Sequence, residues 1–206
     1  MGLGVNNSKA YFDSHRRQYD EEVKAPMVAL LDELEPEFGP ARLSRPNRDI
    51  RFAADKSPYK TNIYAAARSG GYVSLDATSL VAAGGRYMLD VPELARFREA
   101  VAATKSGAAL GHIVSALREK GYEIGGRDLK RVPSPFPQDH PRADLLRHKR
   151  LIYWRRWKIE PWIATMQTRE RVAEVWRDGD ELSSWLSAHV GERGLAPAAA
   201  ARGRKG

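Results

Sequence analysis

The sequence contains no cysteine. That absence excludes disulfides, thiolate nucleophiles, thiolate-bound zinc and cysteine-ligated iron–sulfur clusters, while leaving the redox compartment undetermined. No apolar run approaches the roughly 18 residues that a membrane-crossing helix needs. The opening Met-Gly-Leu-Gly-Val-Asn-Asn lacks the basic and apolar regions of a signal peptide. A cytoplasmic chain with no membrane partner is the expectation. Neither G-x-x-x-x-G-K-[ST] nor G-x-G-x-x-G occurs, so nucleotide binding by those loops has no support and no cofactor is expected. G-x-S-x-G and H-E-x-x-H are missing too, and His15, His112 and His189 fall on helical stretches with no evident nucleophile. Internal repeats are absent.

Charge, by contrast, is plentiful. The 206 residues carry 34 Lys and Arg against 26 Asp and Glu, a formal net charge of +8. Such an excess favours polyanionic or phosphorylated partners and says nothing about fold. It is unevenly spread. Residues 8–38 hold four basic and eight acidic side chains, whereas 127–158 hold ten basic ones against Asp128, Asp139 and Asp144. Length and a hydrophobic fraction of 42% fit a single domain over 1–191. The basic stretch 192–206 has too little apolar surface to offset chain ordering and is expected to be disordered.

Hydrophobic spacing supplies the elements. Phe12, His15, Tyr19, Val23, Met27, Leu30, Leu31, Leu34 and Phe38 recur at steps of three and four, predicting helix over 8–38 with a kink or break at Pro26. From Asn47 to Leu89 short runs rich in aromatic and β-branched residues alternate with turn signals, predicting strands near 48–53, 62–68, 71–76 and 79–87. Helical steps return over 92–103 and 107–120. A proline-rich surface segment then spans 127–141, followed by a short helix over 142–148, a strand-like Leu151-Ile152-Tyr153-Trp154, and helices near 161–176 and 179–190. Helices that flank a block of strands point to an α+β fold. Its antiparallel sheet would have about four to five short strands, near 48–87 and 150–155, between N-terminal, central and C-terminal helices.

The densest polar constellation runs from Arg45 to Thr61, with five cations and two carboxylates in 17 residues. Were 48–52 a strand, Ile50 and Phe52 would face the core, with Asp49 and Arg51 together on the other side. Pro58 would fix a turn presenting Asp55, Lys56, Tyr59 and Lys60. Guanidinium forks suit carboxylate or phosphate, a lysine adds a point charge, and a neighbouring carboxylate can orient a hydroxyl or water.

The pattern R-x-x-R-D-x-R-F-x-x-D-K-x-x-Y, here Arg45, Arg48, Asp49, Arg51, Phe52, Asp55, Lys56 and Tyr59, resembles the signature of a family of uncharacterised conserved bacterial proteins. That family is also found within some fungal proteins and is filed as a domain of unknown function. Asn6-Asn7 followed by Tyr11-Phe12 resembles its N-N-x-x-x-W-F opening, with Tyr where Trp is usual. Leu129-Lys130-Arg131-x-Pro133 and Asp139-His140-Pro141-x-x-Asp144-Leu145-Leu146 resemble its second motif. The resemblance covers roughly residues 6–190 and implies a further apolar helix ahead of Asn6, where this chain has almost nothing. Either the start is displaced or a piece of core is absent. It brings no activity with it.

Three functions stay open. One is an anion-binding cleft for a phosphate or carboxylate ligand, with or without catalysis: Asp49, Asp55 and Tyr59 would be the catalytic candidates, and Arg45, Arg48, Arg51, Lys56, Lys60, Lys130 and His140 the ligand-binding ones. The second is a nucleic-acid or ribosome-associated protein using the basic 127–158 surface, where Tyr153, Trp154 and Trp157 interleave with Arg150, Arg155, Arg156 and Lys158. The third is a non-catalytic interaction module in which the acidic 8–38 helix meets the basic surface of a second copy. Against all three stands a purely structural ion-pair network at 45–60. Asp139, His140, Asp144 and His148 form the only His/carboxylate cluster in the sequence, without metal-site spacing, and no metal is expected. The unneutralised cations at 48–56 call for nearby acid, so 48–60 and 128–148 are expected to form two walls of one cleft around His140.

Overall fold

The computed structural model describes residues 2–192. The tail expected over 192–206 lies, beyond Glu192, outside the described residues. Short helices α1 (Gly2–Val5), α2 (Lys9–Ser14) and α3 (Arg16–Tyr19) lead through a π-helical turn at Asp20–Lys24 into α4 (Ala25–Phe38). Pro26, at the start of α4, has no N–H for the ladder. The Ala25 N–H reaches back five residues to the Asp20 carbonyl instead, so the break foreseen at Pro26 is a π-turn just ahead of it. There follow β1 (Ala41–Leu43), β2 (Asn62–Ala67), β3 (Tyr72–Asp76), β4 (Ser79–Arg86), α5 (Val91–Ala102), α6 (Thr104–Glu119) and β5 (Glu123–Arg127). The chain continues with α7 (Ala143–Leu146), β6 (His148–Lys158), a 3₁₀ turn at Pro161–Ala164, α8 (Gln167–Asp178) and α9 (Asp180–Val190). A capping box between Asp90 and Glu93 starts α5. No helix among the described residues is long and apolar enough to cross a membrane.

The fold is α+β, with one antiparallel sheet of six strands in the order β1-β2-β3-β4-β6-β5. Two strands escape the sequence pattern, β1 and β5. The latter contains Gly125-Gly126, and Gly126 sits in a register shift at φ +108°, where a Cβ would lie 1.8 Å from the Arg150 carbonyl oxygen. β6 is longer than foreseen and lies inside the sheet between β4 and β5.

Alternation along the strands divides the sheet into two unlike faces. Ile63, Ala65 and Ala67 of β2, Val73 of β3, Leu80 and Ala82 of β4, and Leu151 and Tyr153 of β6 share one face by register. All join the core with Leu31, Leu34 and Phe38 of α4, Phe97 and Val101 of α5, Leu110 and Val114 of α6, Val172 and Trp176 of α8, and Leu186 of α9. The helices therefore cover one side. Tyr64, Ala66, Tyr72, Val81, Ala83, Ile152 and Trp154 occupy the other, and none of them takes part in the core.

The strand expected over 48–53 does not form. Its chain leaves the sheet as a loop closed by one antiparallel bridge, Asn47 with Tyr59. Phe52, expected to face the core, is 95% exposed. The reason is local: side chains take the backbone groups that a strand ladder would use. Asp49 accepts from the Arg51 N–H, Asp55 from the Ser57 N–H, and Lys56 donates to the Ile50 carbonyl.

Candidate functional site

The signature is a self-satisfied loop. The Arg51 guanidinium grips Asp49 with two bonds, at 2.9 Å and 2.7 Å, and holds its carboxyl down to about 2. Ser57 donates to Asp55 through both its hydroxyl, at 2.6 Å, and its backbone, at 2.9 Å, while Arg48 pairs with the other carboxylate oxygen. These donors, Ser57 foremost, hold Asp55 well below the usual carboxylate range. Both acids are thus held ionised at neutral pH and engaged on both oxygens, whereas a general base works best near the operating pH. That suits ion pairs that fix a loop. Tyr59 is buried, stacked on Phe12 at 4.2 Å between ring centres.

Asn7, part of the opening pair in the resemblance, has a clear role. Its amide donates to the Tyr59 carbonyl at 2.9 Å and accepts from the Tyr59 N–H at 3.0 Å, so one side chain acts as a strand partner for the end of the signature. Asn7→Ala removes two partly buried hydrogen bonds and should cost about 2 kcal/mol. Thermal unfolding should show a midpoint lower by about 4–8 °C.

The second motif is elsewhere. The 44–61 loop joins β1 to β2 at one edge of the sheet, and the 128–147 segment joins β5 to β6 at the other, with β3 and β4 between. Because every neighbour is antiparallel, the loops also leave from opposite ends: β2 starts where β3 finishes, and β6 starts where β4 finishes. The expected two-walled cleft is therefore absent. Instead the acids for Arg48 and Arg51 come from within the loop: the Asp49–Arg51 pair is one the sequence offered, though on a strand, and the Arg48–Asp55 pair is one it did not. Asp144 pairs with Arg127 at 2.9 Å and Arg118 at 3.8 Å. The His140 Nδ1 accepts from the Arg142 N–H at 3.0 Å, a local turn contact, and Lys130 is exposed. The proline-rich segment is not wholly on the surface, since Val132 is buried and Phe136 packs on the core. Burial pushes the His148 pKa down and keeps the ring neutral against the Asp144 carbonyl. Among the described residues no three of His, Asp and Glu gather closely enough to share a metal ion.

A cavity of about 540 Å³ lies between the N-terminal helices and the adjoining ends of β2 and β3. Several of its polar groups are engaged by neighbouring residues. Asp76 accepts from Thr78 and Ser79, Asn62 donates to Ser74, and Gln18 donates to Glu22.

The uncovered sheet face is different. One row across it reads Arg42, Ala66, Tyr72, Ala83, Trp154, Glu123, and the next reads Tyr64, Ser74, Val81, Arg156. Tyr64 and Tyr72 stack at 5.6 Å as diagonal neighbours. The Trp154 ring lies over Gly125, where a Cβ would come within 2.6 Å of it. Small residues, Ala66 and Ala83, stand opposite Tyr72 on the neighbouring strands. Cations ring these aromatics: Arg42, Arg156 and Lys158 are exposed, and the Arg150 guanidinium lies 5.1 Å over the Tyr87 ring. Lys60, the last cation of the signature loop, holds its ammonium 5.8 Å from the Tyr64 ring centre. That ammonium donates to the Arg45 carbonyl at 2.5 Å and the Asn47 carbonyl at 2.6 Å, and burial with Arg45 and Arg48 nearby lowers its pKa. Sequence reading noted Trp154 and its cationic neighbours but missed Tyr64, Tyr72 and Arg42. Alternation in β2 and β3 was the available signal.

Compared with known families, residues 1–185 match the one described as Conserved hypothetical protein (DUF2461). The chain belongs to this family. No curated protein matches it, and no solved structure does. The DUF2461 match spans the opening Asn pair, the signature and the second motif, and it carries no assigned activity.

Proposed function

We propose that the domain is a cytoplasmic single-stranded nucleic-acid-binding module that uses the open face of its sheet. The observation that carries this reading is the pairing of a sheet face that none of the described helices covers with partly exposed aromatics, Tyr64, Tyr72 and Trp154, set among Arg42, Arg156, Lys158 and Lys60. Rings offer stacking platforms to bases of any sequence, and the cations follow the backbone phosphates. A helix-free face with this chemistry can take a splayed single strand, while a duplex hides its bases and would meet only the cations. The acids on this face are few: Asp76 is engaged by Thr78 and Ser79, and Glu123 stands at the edge strand. An acid/base reaction at Asp49 and Asp55 finds less support, since both are held ionised by the arginines and serine of their own loop.

Titration of the protein's tryptophan fluorescence with oligo(U) and oligo(dT), alongside a duplex of equal length, tests this. Trp154→Ala or Tyr72→Ala should weaken single-strand binding by about 1–3 kcal/mol, or roughly 5- to 150-fold. With four cations in contact, log K should fall against log salt with a slope of about −3. The RNA and DNA arms report which sugar is preferred. Equal binding of the duplex, or affinity unmoved by either substitution, would sink the reading.

A further inference from the structure

Phe52 is the most exposed large apolar side chain among the described residues. It does not sit on a slack loop. Below it the chain is tied by the Asn47 bridge to Tyr59, by Arg48 to Asp55, by Arg51 to Asp49 and by the Lys56 ammonium to the Ile50 carbonyl at 3.1 Å. Tyr59, at the foot, is anchored inside by Phe12 and Asn7. A ring is thus held out into solvent by a loop whose other parts are fastened down. Around it the charge is positive. The two carboxylates are taken by Arg48 and Arg51, and among the described residues neither Arg45 nor Lys56 has a carboxylate partner. Arg51 remains 77% exposed despite its pair.

We propose that Phe52 is a stacking finger for a base of the same single strand that lies on the sheet, with Arg51 and Lys56 taking the adjoining phosphates. This rests on the reading under Proposed function and extends the contact surface from the sheet to the signature loop. Continuity supports it: the loop's last cation, Lys60, already reaches the Tyr64 ring on the sheet face. One flat ring with cations beside it matches a nucleotide, which presents one flat base and one phosphate per step. It is a small anchor for a bilayer, which rewards broad apolar area. The signature then has a double purpose: its ion pairs and serine set the loop, and its ring and the exposed sides of its cations meet the ligand.

The test is a length series of oligo(U), from a tetramer to a dodecamer, against wild type, Phe52→Ala, Phe52→Trp and Trp154→Ala. Phe52 is solvent-exposed, so its substitution should leave the unfolding midpoint in place. The expected result is that Phe52→Ala loses about tenfold on the dodecamer and nothing on the tetramer, which is short enough to be held by the sheet alone, and that Phe52→Trp restores the loss. If Phe52→Ala matches wild type at every length while Trp154→Ala loses affinity, the finger is wrong and the sheet reading stands. Failure of the wild type to bind any oligonucleotide would remove both. Loss of binding to phosphatidylserine vesicles in Phe52→Ala, with the dodecamer unchanged, would assign the ring to a membrane surface and overturn the proposal.

Discussion

Replacing Tyr153 by alanine should cost about 4 kcal/mol of stability, while the same change at its neighbour Trp154 should cost about 1 kcal/mol or less. The two residues are adjacent on β6 and point to opposite sides of the sheet. Tyr153 is 1% exposed, meets Tyr122 edge-on at 5.6 Å, and donates its hydroxyl to the Val175 carbonyl at 3.2 Å. Two glycines make room for that hydroxyl: a Cβ on Gly84 would stand 2.3 Å from it and one on Gly179 1.7 Å. Truncation therefore opens a hole ringed by strand and helix backbone, which collapses poorly, and cavity and transfer terms add. Tyr153→Phe keeps the ring and should lose only the single hydrogen bond, about 1 kcal/mol. Urea unfolding of the three variants, with a common m-value, gives the ranking. A Trp154→Ala protein as unstable as Tyr153→Ala would mean that the second sheet face is covered after all, and the proposed binding surface would go with it.

That contrast also shows what the sequence could and could not disclose. Strands β2, β3 and β4 fall almost where alternation and turn signals place them, because the period of two is written into Ile63, Ala65, Val73, Leu80 and Ala82. Period alone separates two faces without saying which one the helices cover. The covering comes from helices far away in sequence, α4 at one end of the chain and α8 and α9 at the other. Tyr64 and Tyr72 were legible as strand residues and illegible as a surface. β5 was missed for the opposite reason: Gly125-Gly126 dilutes the alternation, and the glycines are there to let Trp154 and the Arg150 carbonyl come close.

The signature was legible as chemistry and misread as geometry. Ile50 and Phe52 alternate with Asp49 and Arg51 as a half-buried strand would, yet three side-chain bonds to backbone compete successfully with a ladder in that short stretch. That Asp49 and Arg51 could pair was legible, though as neighbours on a strand that does not form; the Arg48–Asp55 pair, seven residues apart, arises only in the folded loop, and the further acid expected beside these cations is not found there among the described residues. Asp139 and Asp144, the alternatives, stand at the far edge of the sheet.

Arg86→Met should lower stability by about 3 kcal/mol, near the lower end for breaking a buried ion pair because Glu93 keeps some contact with water. Arg86 ends β4 with its side chain only 7% exposed. It pairs with Glu93 at 3.1 Å and donates to the Gly191 carbonyl. Three elements meet on it: the last residue of β4, the first turn of α5, where Glu93 also accepts from the Asp90 N–H at 2.9 Å, and the C-terminal end of α9. Methionine fills most of the volume but leaves the carboxylate and the carbonyl without their donor, so the loss is electrostatic more than steric. Nearby, the Arg96 Nε donates to the Val190 carbonyl at 2.6 Å, so α9 keeps one tether to α5 and should stay docked. The thermal midpoint should fall by about 6–12 °C. Arg86→Met/Glu93→Gln, which removes the stranded charge, should recover part of that, with a coupling energy of about 1–2 kcal/mol. Oligonucleotide affinity of the still-folded protein should be unchanged at 25 °C, since Arg86 is buried and does not reach the open face. A single variant that lost stability and single-strand binding in equal measure would tie that face to the β4–α5–α9 junction and contradict the separation of the two sides of the sheet.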